Sequence, residues 1–183
     1  MTAKGHILLA ITPLIAINPD LYNNPYLIGA SALGAVLPDI DEPHSYIGKR
    51  LYLISDLLHY IGIKHRTITH SLYFPAIFFI LGILFNNIYL LAIGYGALLH
   101  LIGDSLTITG VPLFYPNKTY FNLLPEPLRF KTNGSVEYLI ILILIVIDFY
   151  ILRDHLHIPD DLFYKIFYLI NSFFEFLKTP LSM

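Results

Sequence analysis

Long apolar runs separated by short polar breaks organise this chain. The first covers residues 7–17 and stops at Asn18-Pro19-Asp20. The residues before it lack an extended basic region, and no Ala-x-Ala site follows, which predicts a retained first helix rather than a cleaved signal. After Asn23-Asn24-Pro25 comes a second run, residues 26–37, rich in small side chains (Gly29, Ala30, Ser31, Ala32, Gly34, Ala35). Small residues let helices approach closely inside a membrane. The apolar stretch over residues 72–102 exceeds the about 20 residues that cross the hydrocarbon. Asn86-Asn87 sits in its middle, and predicts two short helices joined by a tight turn. Residues 138–152 form a further run, interrupted by Asp148, with Ser135 as its cap and Glu137 as a first-turn acid. A polar break over 153–161 precedes an aromatic, apolar segment over 162–177. That segment is predicted to return to the starting side or to lie in the interface.

The pattern predicts an all-α fold, a polytopic α-helical integral membrane protein of about four to six helices with a short-turn hairpin at Asn86-Asn87. Six helical segments are expected. Four true spans are the alternative, because several runs fall short of a full crossing. One membrane-embedded helical domain is expected over residues 1–183, with the site motifs within 4–137 and C-terminal helices over 138–178.

Composition supports this. Apolar residues make up 56% and charged residues 13%, against about 25% charged in soluble domains, and the mean hydropathy is +0.64. The 14 Tyr and 13 Phe exclude disorder. A net charge of −2 excludes a broad basic face, so no nucleic-acid partner is expected; the lipid bilayer is. With no Cys, thiolate metal sites, disulfides and Cys nucleophiles are excluded, and any metal must be held by His, Asp and Glu. A nucleotide-binding glycine motif and a Gly-x-Ser-x-Gly elbow are both missing from the sequence. The hairpin puts every Lys and Arg on one side except Arg153, opposite, and Lys165, within the last segment. The positive-inside rule makes the crowded side cytoplasmic.

The same arrangement gathers the candidate chemistry. His6, Asp39, Asp41, His65, His70, His100 and Asp104 all fall at the cytoplasmic ends of their helices. Were residues 72–102 one long span, His70 and His100 would lie on opposite sides, so the clustering depends on the hairpin. Leu37-Pro38-Asp39-Ile40-Asp41-Glu42 closes an apolar run with three acids, which repel unless a cation intervenes; a solvated acidic terminus is the alternative. Hard oxygen ligands suit Mg, Ca or Mn, and together with His they suit Zn, Mn or Fe. In His65-Arg66-Thr67-Ile68-Thr69-His70-Ser71 a loop-to-helix junction can converge two His, and Arg66 suits bidentate contact with a phosphate. Here the alternative is a polar segment among headgroups. His100 and Asp104 share a helical face at i, i+4, as ligands or as a hydrogen-bonded structural pair, and Gly103 between them permits close approach. His6 alone is a weak signal. Arg129 and Lys131 precede a turn and a helix start, an anion site or a positive-inside anchor. His44, His59, His155 and His157 are read as surface residues.

Taken together, Leu37-Pro38-Asp39-Ile40-Asp41, His65-Arg66-x-x-Thr69-His70-Ser71, His100-x-x-x-Asp104-x-x-Thr107 and Phe130-x-Thr132-x-Gly134-Ser135-x-x-Glu137 resemble the YdjM-type family of inner-membrane-bound, metal-dependent hydrolases. The resemblance covers residues 4 to about 140. It implies a small helical membrane protein with a His/Asp metal site. A more distant similarity, to the zinc-dependent phospholipase C and single-strand nuclease superfamily, implies His6, Asp39, His70, His100 and Asp104 as ligands.

The expectation is therefore a membrane-bound hydrolase of phosphoesters, acting on an amphiphilic or lipid-linked substrate at the cytoplasmic face of the inner membrane. One or two divalent ions, zinc foremost and otherwise Mn, Fe or Mg, would be held among His6, Asp39, Asp41, His65, His70, His100 and Asp104. Asp41, His65, Arg66 and Arg129 are the expected catalytic residues, the two Arg binding the phosphate. The alternatives are a non-enzymatic protein with a closed structural metal, and an ion transporter whose route would need Asp148.

Overall fold

The computed structural model describes residues 1–63, 65–153, 164, 165 and 168. The described residues form six α-helices and no strand: α1 (Ala3–Ile17), α2 (Pro25–Val36), α3 (Tyr52–Tyr60), α4 (Tyr73–Leu84), α5 (Ile88–Ser105) and α6 (Ser135–Leu152). The all-α expectation holds. The expected segment over 162–177 lies outside the described residues but for single positions. The chain divides into two compact units, Met1–Asp148 and Phe149–Met183; the first contains the site.

Local chemistry explains most helix boundaries. Thr2 caps α1, Asn24 caps α2 with Pro25 in its first position, and Asn87 caps α5, its Oδ1 accepting from the Tyr89 and Leu90 amides at 2.9 and 3.2 Å. Proline is tolerated at a helix start because no intrahelical partner awaits its missing N–H. The hairpin turn is where the two asparagines predicted it. Asn86 takes a left-handed φ of 47°, which asparagine tolerates better than most residues. The amide of Asn87 then reaches back to the Gly82 carbonyl at 2.8 Å.

Helix α5 is central and packs against α1, α2 and α4. Its seam with α2 is made by small residues. A Cβ built on Gly34 would sit 2.1 Å from the Ile93 carbonyl oxygen, and one on Gly96 would sit 2.0 Å from that of Ser31. The two backbones therefore touch, as the small-residue run of α2 predicts, and glycine at both places makes that approach possible.

α5 and α6, at 18 residues each, are long and apolar enough to cross a membrane; α1 and α4 are shorter apolar helices. Ile77, Ile80, Ile83 and Leu84 of α4 and Leu139, Ile143, Ile145 and Ile147 of α6 are exposed. Water would penalise such faces, whereas lipid does not.

Two elements differ from expectation. The stretch between α2 and α4 holds α3, whose apolar residues Leu53, Ile54 and Leu57 are exposed. The three acids do not end an α-helix either. α2 stops at Val36, and Leu37–Asp41 forms a tighter 3-10 turn, held where the Ser45 hydroxyl donates to the Asp39 carbonyl at 2.8 Å.

Candidate metal centre

Five stretches bring their polar side chains together at one end of the bundle: the start of α1 (His6), the Leu37–Asp41 turn, the loop at His65-Arg66, the Ile68–His70 turn and the end of α5 (His100, Asp104). The hairpin does what the sequence requires of it. His70 before α4 and His100 late in α5 meet with their Nε2 atoms 3.3 Å apart.

The carboxylate of Asp39 completes a triangle. Its Oδ1 lies 3.3 Å from His70 Nε2 and 3.6 Å from His100 Nε2. Bonds of about 2.0–2.1 Å to a tetrahedral zinc would separate neighbouring ligand atoms by about 3.3–3.4 Å, so the triangle has the edge lengths of such a site. The tautomers sharpen the point. His100 Nδ1 donates to the Ala35 carbonyl at 2.7 Å, which leaves the Nε2 lone pair facing His70. His70 Nδ1 is turned to Asp41 Oδ2 at 3.4 Å and to the Thr69 hydroxyl at 3.1 Å, which aims its Nε2 at the same point. Two imidazole lone pairs and a carboxylate oxygen repel one another unless a cation or a proton lies among them.

The same groups shift one another's protonation. Burial alone would make His70 harder to protonate, but hydrogen bonds and charge from Asp39 and Asp41 outweigh it and hold its pKa up at about 9. Burial likewise opposes ionisation of Asp39, yet the hydrogen bond from His70 and the charges of the surrounding His hold its pKa down at about 2. Asp41 is driven in the same direction, with His65, His70 and Thr69 overcoming its burial. A place where carboxylates favour positive charge on an imidazole is suited to a divalent ion, which binds neutral imidazole and ionised carboxylate.

His6 joins from α1. Its ring stacks on His100 with centroids 3.8 Å apart, its Nε2 lies 3.2 Å from Asp104 Oδ1, and neither ring nitrogen makes a hydrogen bond. A buried imidazole with no hydrogen-bond partner is costly, and a metal is one partner that would satisfy it. The ring fits because residue 103 is glycine: a Cβ there would sit 3.1 Å from His6 Nδ1. Asp104 has its Oδ2 4.0 Å from His100 Nε2, accepts from Arg66 Nη2 at 2.9 Å and pairs with the Met1 amine.

Asp41 and His65 lie one layer further out. Asp41 Oδ1 faces His65 Nδ1 at 2.8 Å, and its Oδ2 accepts from the Arg66 amide at 3.1 Å and from the Thr69 hydroxyl. Both oxygens are thus engaged by protein donors, and the Asp41 carboxylate orients His70 from behind, as carboxylates commonly do behind metal-ligating imidazoles. Arg66 adopts a left-handed φ of 59°, a conformation that costs an L-residue roughly 1–2 kcal/mol. It aims the backbone amide at Asp41 while the side chain reaches Asp104 and, through Nη1, the Gly110 carbonyl at 3.1 Å.

Arg129 is engaged elsewhere, its Nε donating to the Leu124 carbonyl at 2.9 Å; the contacts among the described residues do not bring it to the cluster. Two residues carry more of the site than sequence reasoning gave them. Thr69 is buried and touches both Asp41 and His70. Glu137 is more than a first-turn acid. It is buried, and it accepts from the Thr2 amide at 2.5 Å, the Thr2 hydroxyl at 2.7 Å and the Asn133 amide at 2.7 Å, fixing the start of α1 and with it His6. Its i+4 spacing from Asn133 was the available signal, since an acid early in a helix can reach back to the entering backbone.

Comparison with known proteins identifies the family. The family described as YdjM inner membrane protein matches residues 1–155. The chain is 35% identical to the uncharacterized protein YvsG of Bacillus subtilis over 146 residues, 77% of this chain and 88% of that protein. It is 32% identical to the inner membrane protein YdjM of Escherichia coli over 139 residues, 67% of this chain and 69% of that protein, with the same figures for the Shigella flexneri protein. No solved structure matches.

Proposed function

This chain belongs to the YdjM family of inner membrane proteins, and from that premise we propose that it is a membrane-embedded, metal-dependent hydrolase of phosphoesters on lipid or lipid-linked substrates. The observation that carries the reading is the triangle of Asp39 Oδ1, His70 Nε2 and His100 Nε2, with edges of 3.3, 3.3 and 3.6 Å. Three protein ligands with a further position free is the pattern of a catalytic zinc site. Asp39 is the partly exposed member of the three, so the triangle is reached from its side.

Asp39, His70 and His100 would hold the ion, with His6 and Asp104 beside them. Such an ion, zinc before Mn, Fe or Mg, supplies Lewis acidity toward a phosphoryl oxygen and lowers the pKa of water. The chain's own groups do the rest. Asp41 and Thr69 fix the tautomer of His70, and the Ala35 carbonyl fixes that of His100. His65, held at Nδ1 by Asp41, keeps Nε2 to exchange a proton. Arg66 retains N–H donors beyond the two spent on Asp104 and Gly110, enough to meet a phosphate. The positive-inside distribution supports a cytoplasmic site at headgroup depth, where a lipid substrate arrives laterally.

A closed structural metal is the second reading, favoured by one observation: with His6 and Asp104 the donors outnumber those of an open site. Elemental analysis of detergent-purified protein beside the His100→Ala/Asp104→Ala double variant tests both. One or two equivalents of metal, lost in the variant together with hydrolysis of phosphoester substrates, are expected. Metal whose removal unfolds the protein without any hydrolysis to lose supports the structural reading. No metal in either protein, with equal thermal stability, rejects both.

A further inference from the structure

Beside the metal centre lies a cavity of about 350 Å³, within the size range of small-molecule sites. One wall is the loop carrying His65, Arg66 and Thr67; the other is the loop after α5, carrying Tyr115, Lys118 and Tyr120. The second loop is closed on itself by paired hydrogen bonds between Val111 and Phe121 at 3.0 and 2.8 Å. Its tip is shaped by Asn117, whose Oδ1 accepts from the Thr119 amide and hydroxyl at 3.0 and 2.8 Å, and Lys118 lies between those two residues. Arg66 ties the walls together, because its Nη1 donates to the Gly110 carbonyl at the base of this loop.

The lining is one-sided in charge. It contains Arg66, Lys118, an imidazole and two phenols, and no carboxylate among the described residues. Lys118 makes no ion pair among them either, whereas Arg66 already neutralises Asp104. Lys118 is solvent-exposed, and an ammonium and a guanidinium lining the same cavity together favour an anion there. Phenol hydroxyls add donors for its oxygens.

We propose that this cavity binds the phosphate of a monoester headgroup, and that Lys118 is the residue that selects a dianion over a zwitterion there. The assignment names the substrate class of the hydrolase reading and rests on that reading for its purpose. The shared walls make the connection: Arg66 touches both the anion cavity and Asp104, and His65 touches both the cavity and Asp41. A phosphate seated between Arg66 and Lys118 thus lies against the residues that brace the metal centre.

The test is calorimetric titration of the full-length protein in detergent, metal content measured on the same samples. The probes are inorganic phosphate and dihexanoyl phosphatidic acid, with dihexanoyl phosphatidylcholine as the zwitterionic control. Saturable binding of at least one anionic probe is expected, weakened about 10-fold or more in Lys118→Ala, as for loss of one charge-assisted hydrogen bond, and largely restored in Lys118→Arg, with metal content unchanged. Binding of phosphatidic acid but not phosphate identifies a lipid headgroup; equal binding of both identifies the phosphate group itself; either supports the proposal. No saturable binding, equal affinity for phosphatidylcholine, or an affinity indifferent to Lys118→Ala overturns it. Lys118-dependent binding in protein without metal would leave this inference standing while the hydrolase reading fell. Metal-replete protein without Lys118-dependent binding would do the reverse.

Discussion

Asp39 and Asp41 are two residues apart on one 3-10 turn, yet they belong to different chemistries. Both carboxylate oxygens of Asp41 have protein partners: His65, the Arg66 amide, the Thr69 hydroxyl and His70 Nδ1 surround them. Asp39 sits in a layer of acceptors that face one another, with His70 Nε2 and His100 Nε2 opposite and the unbonded ring of His6 beyond. The satisfied layer is a scaffold. The layer of facing acceptors favours positive charge. Adjacent residues of one type divide this way because satisfaction of hydrogen bonds, and not residue identity, determines what a buried polar group still needs.

The comparison breaks most visibly where the acceptor layer is emptied. Asp39→Ala and His70→Ala should each abolish stoichiometric metal, a loss of more than about 100-fold in affinity, since removing even a partner that orients a ligand costs about 10–100-fold. Elemental analysis reads this directly. Retention of a full equivalent in both variants would dissolve the distinction between the layers.

Asp41→Asn should weaken metal by the smaller factor, about 10–100-fold, with binding recovered at higher metal concentration. A competitive chelator titration measures it. If Asp41→Asn removes metal as completely as Asp39→Ala, Asp41 is itself a ligand.

Acidity separates loaded from empty protein. His70 at about 9 is raised above its ordinary 6.5, so its pairing stabilises the metal-free fold fully below pH 6.5 and is lost as pH climbs through 9. Asp39 at about 2 is depressed from 3.8, so its contribution is present above 3.8 and is lost as pH falls through 2. Through this pair the metal-free protein should be most stable from roughly pH 4 to 6.5 and should soften toward pH 9. Loaded protein should not soften, because the ion replaces the proton. Thermal melts with and without chelator compare them, and coincident curves above pH 7 would mean that no ion sits on His70.

The smallest effect belongs to Thr69→Val, which removes one hydroxyl between Asp41 and His70. One hydrogen bond to a charged group is worth about 1.5–3 kcal/mol, so metal affinity should fall on the order of 10-fold without loss of the fold. Circular dichroism and metal titration together check it.

Much of this was legible along the chain. Asn86-Asn87 announces the hairpin, and the hairpin requires His70 and His100 to meet. The small residues of α2 announce the close seam with α5, and that seam brings the Ala35 carbonyl to His100 Nδ1. Other features are written only in three dimensions. No spacing distinguishes Asp39 from Asp41, because the difference lies in loops that fold back from residues 65–70. His6 has no neighbour in sequence to mark it; its meaning comes from the ring of His100, 94 positions later and 3.8 Å away. α3 escaped notice because Lys49 and Arg50 before it read as loop, although Leu53 and Leu57 repeat at helical spacing. Arg129 is expected at a phosphate because cations before helix starts often bind one; its Nε donates to the Leu124 carbonyl, which leaves its Nη donors uncommitted by that bond.

The hairpin has a consequence for how the protein is made. Its second arm, α5, brings His100 and Asp104, the last of the clustered donors to be synthesised, back to the end of the bundle where His6, Asp39 and His70 already wait. A growing chain that has emerged only as far as α4 has Asp39, Asp41, His65 and His70 but not His100 and Asp104. If the chain holds an ion on Asp39, His70 and His100 as proposed, capture waits on the return arm, and a chain stalled before that step lacks one of the three ligands.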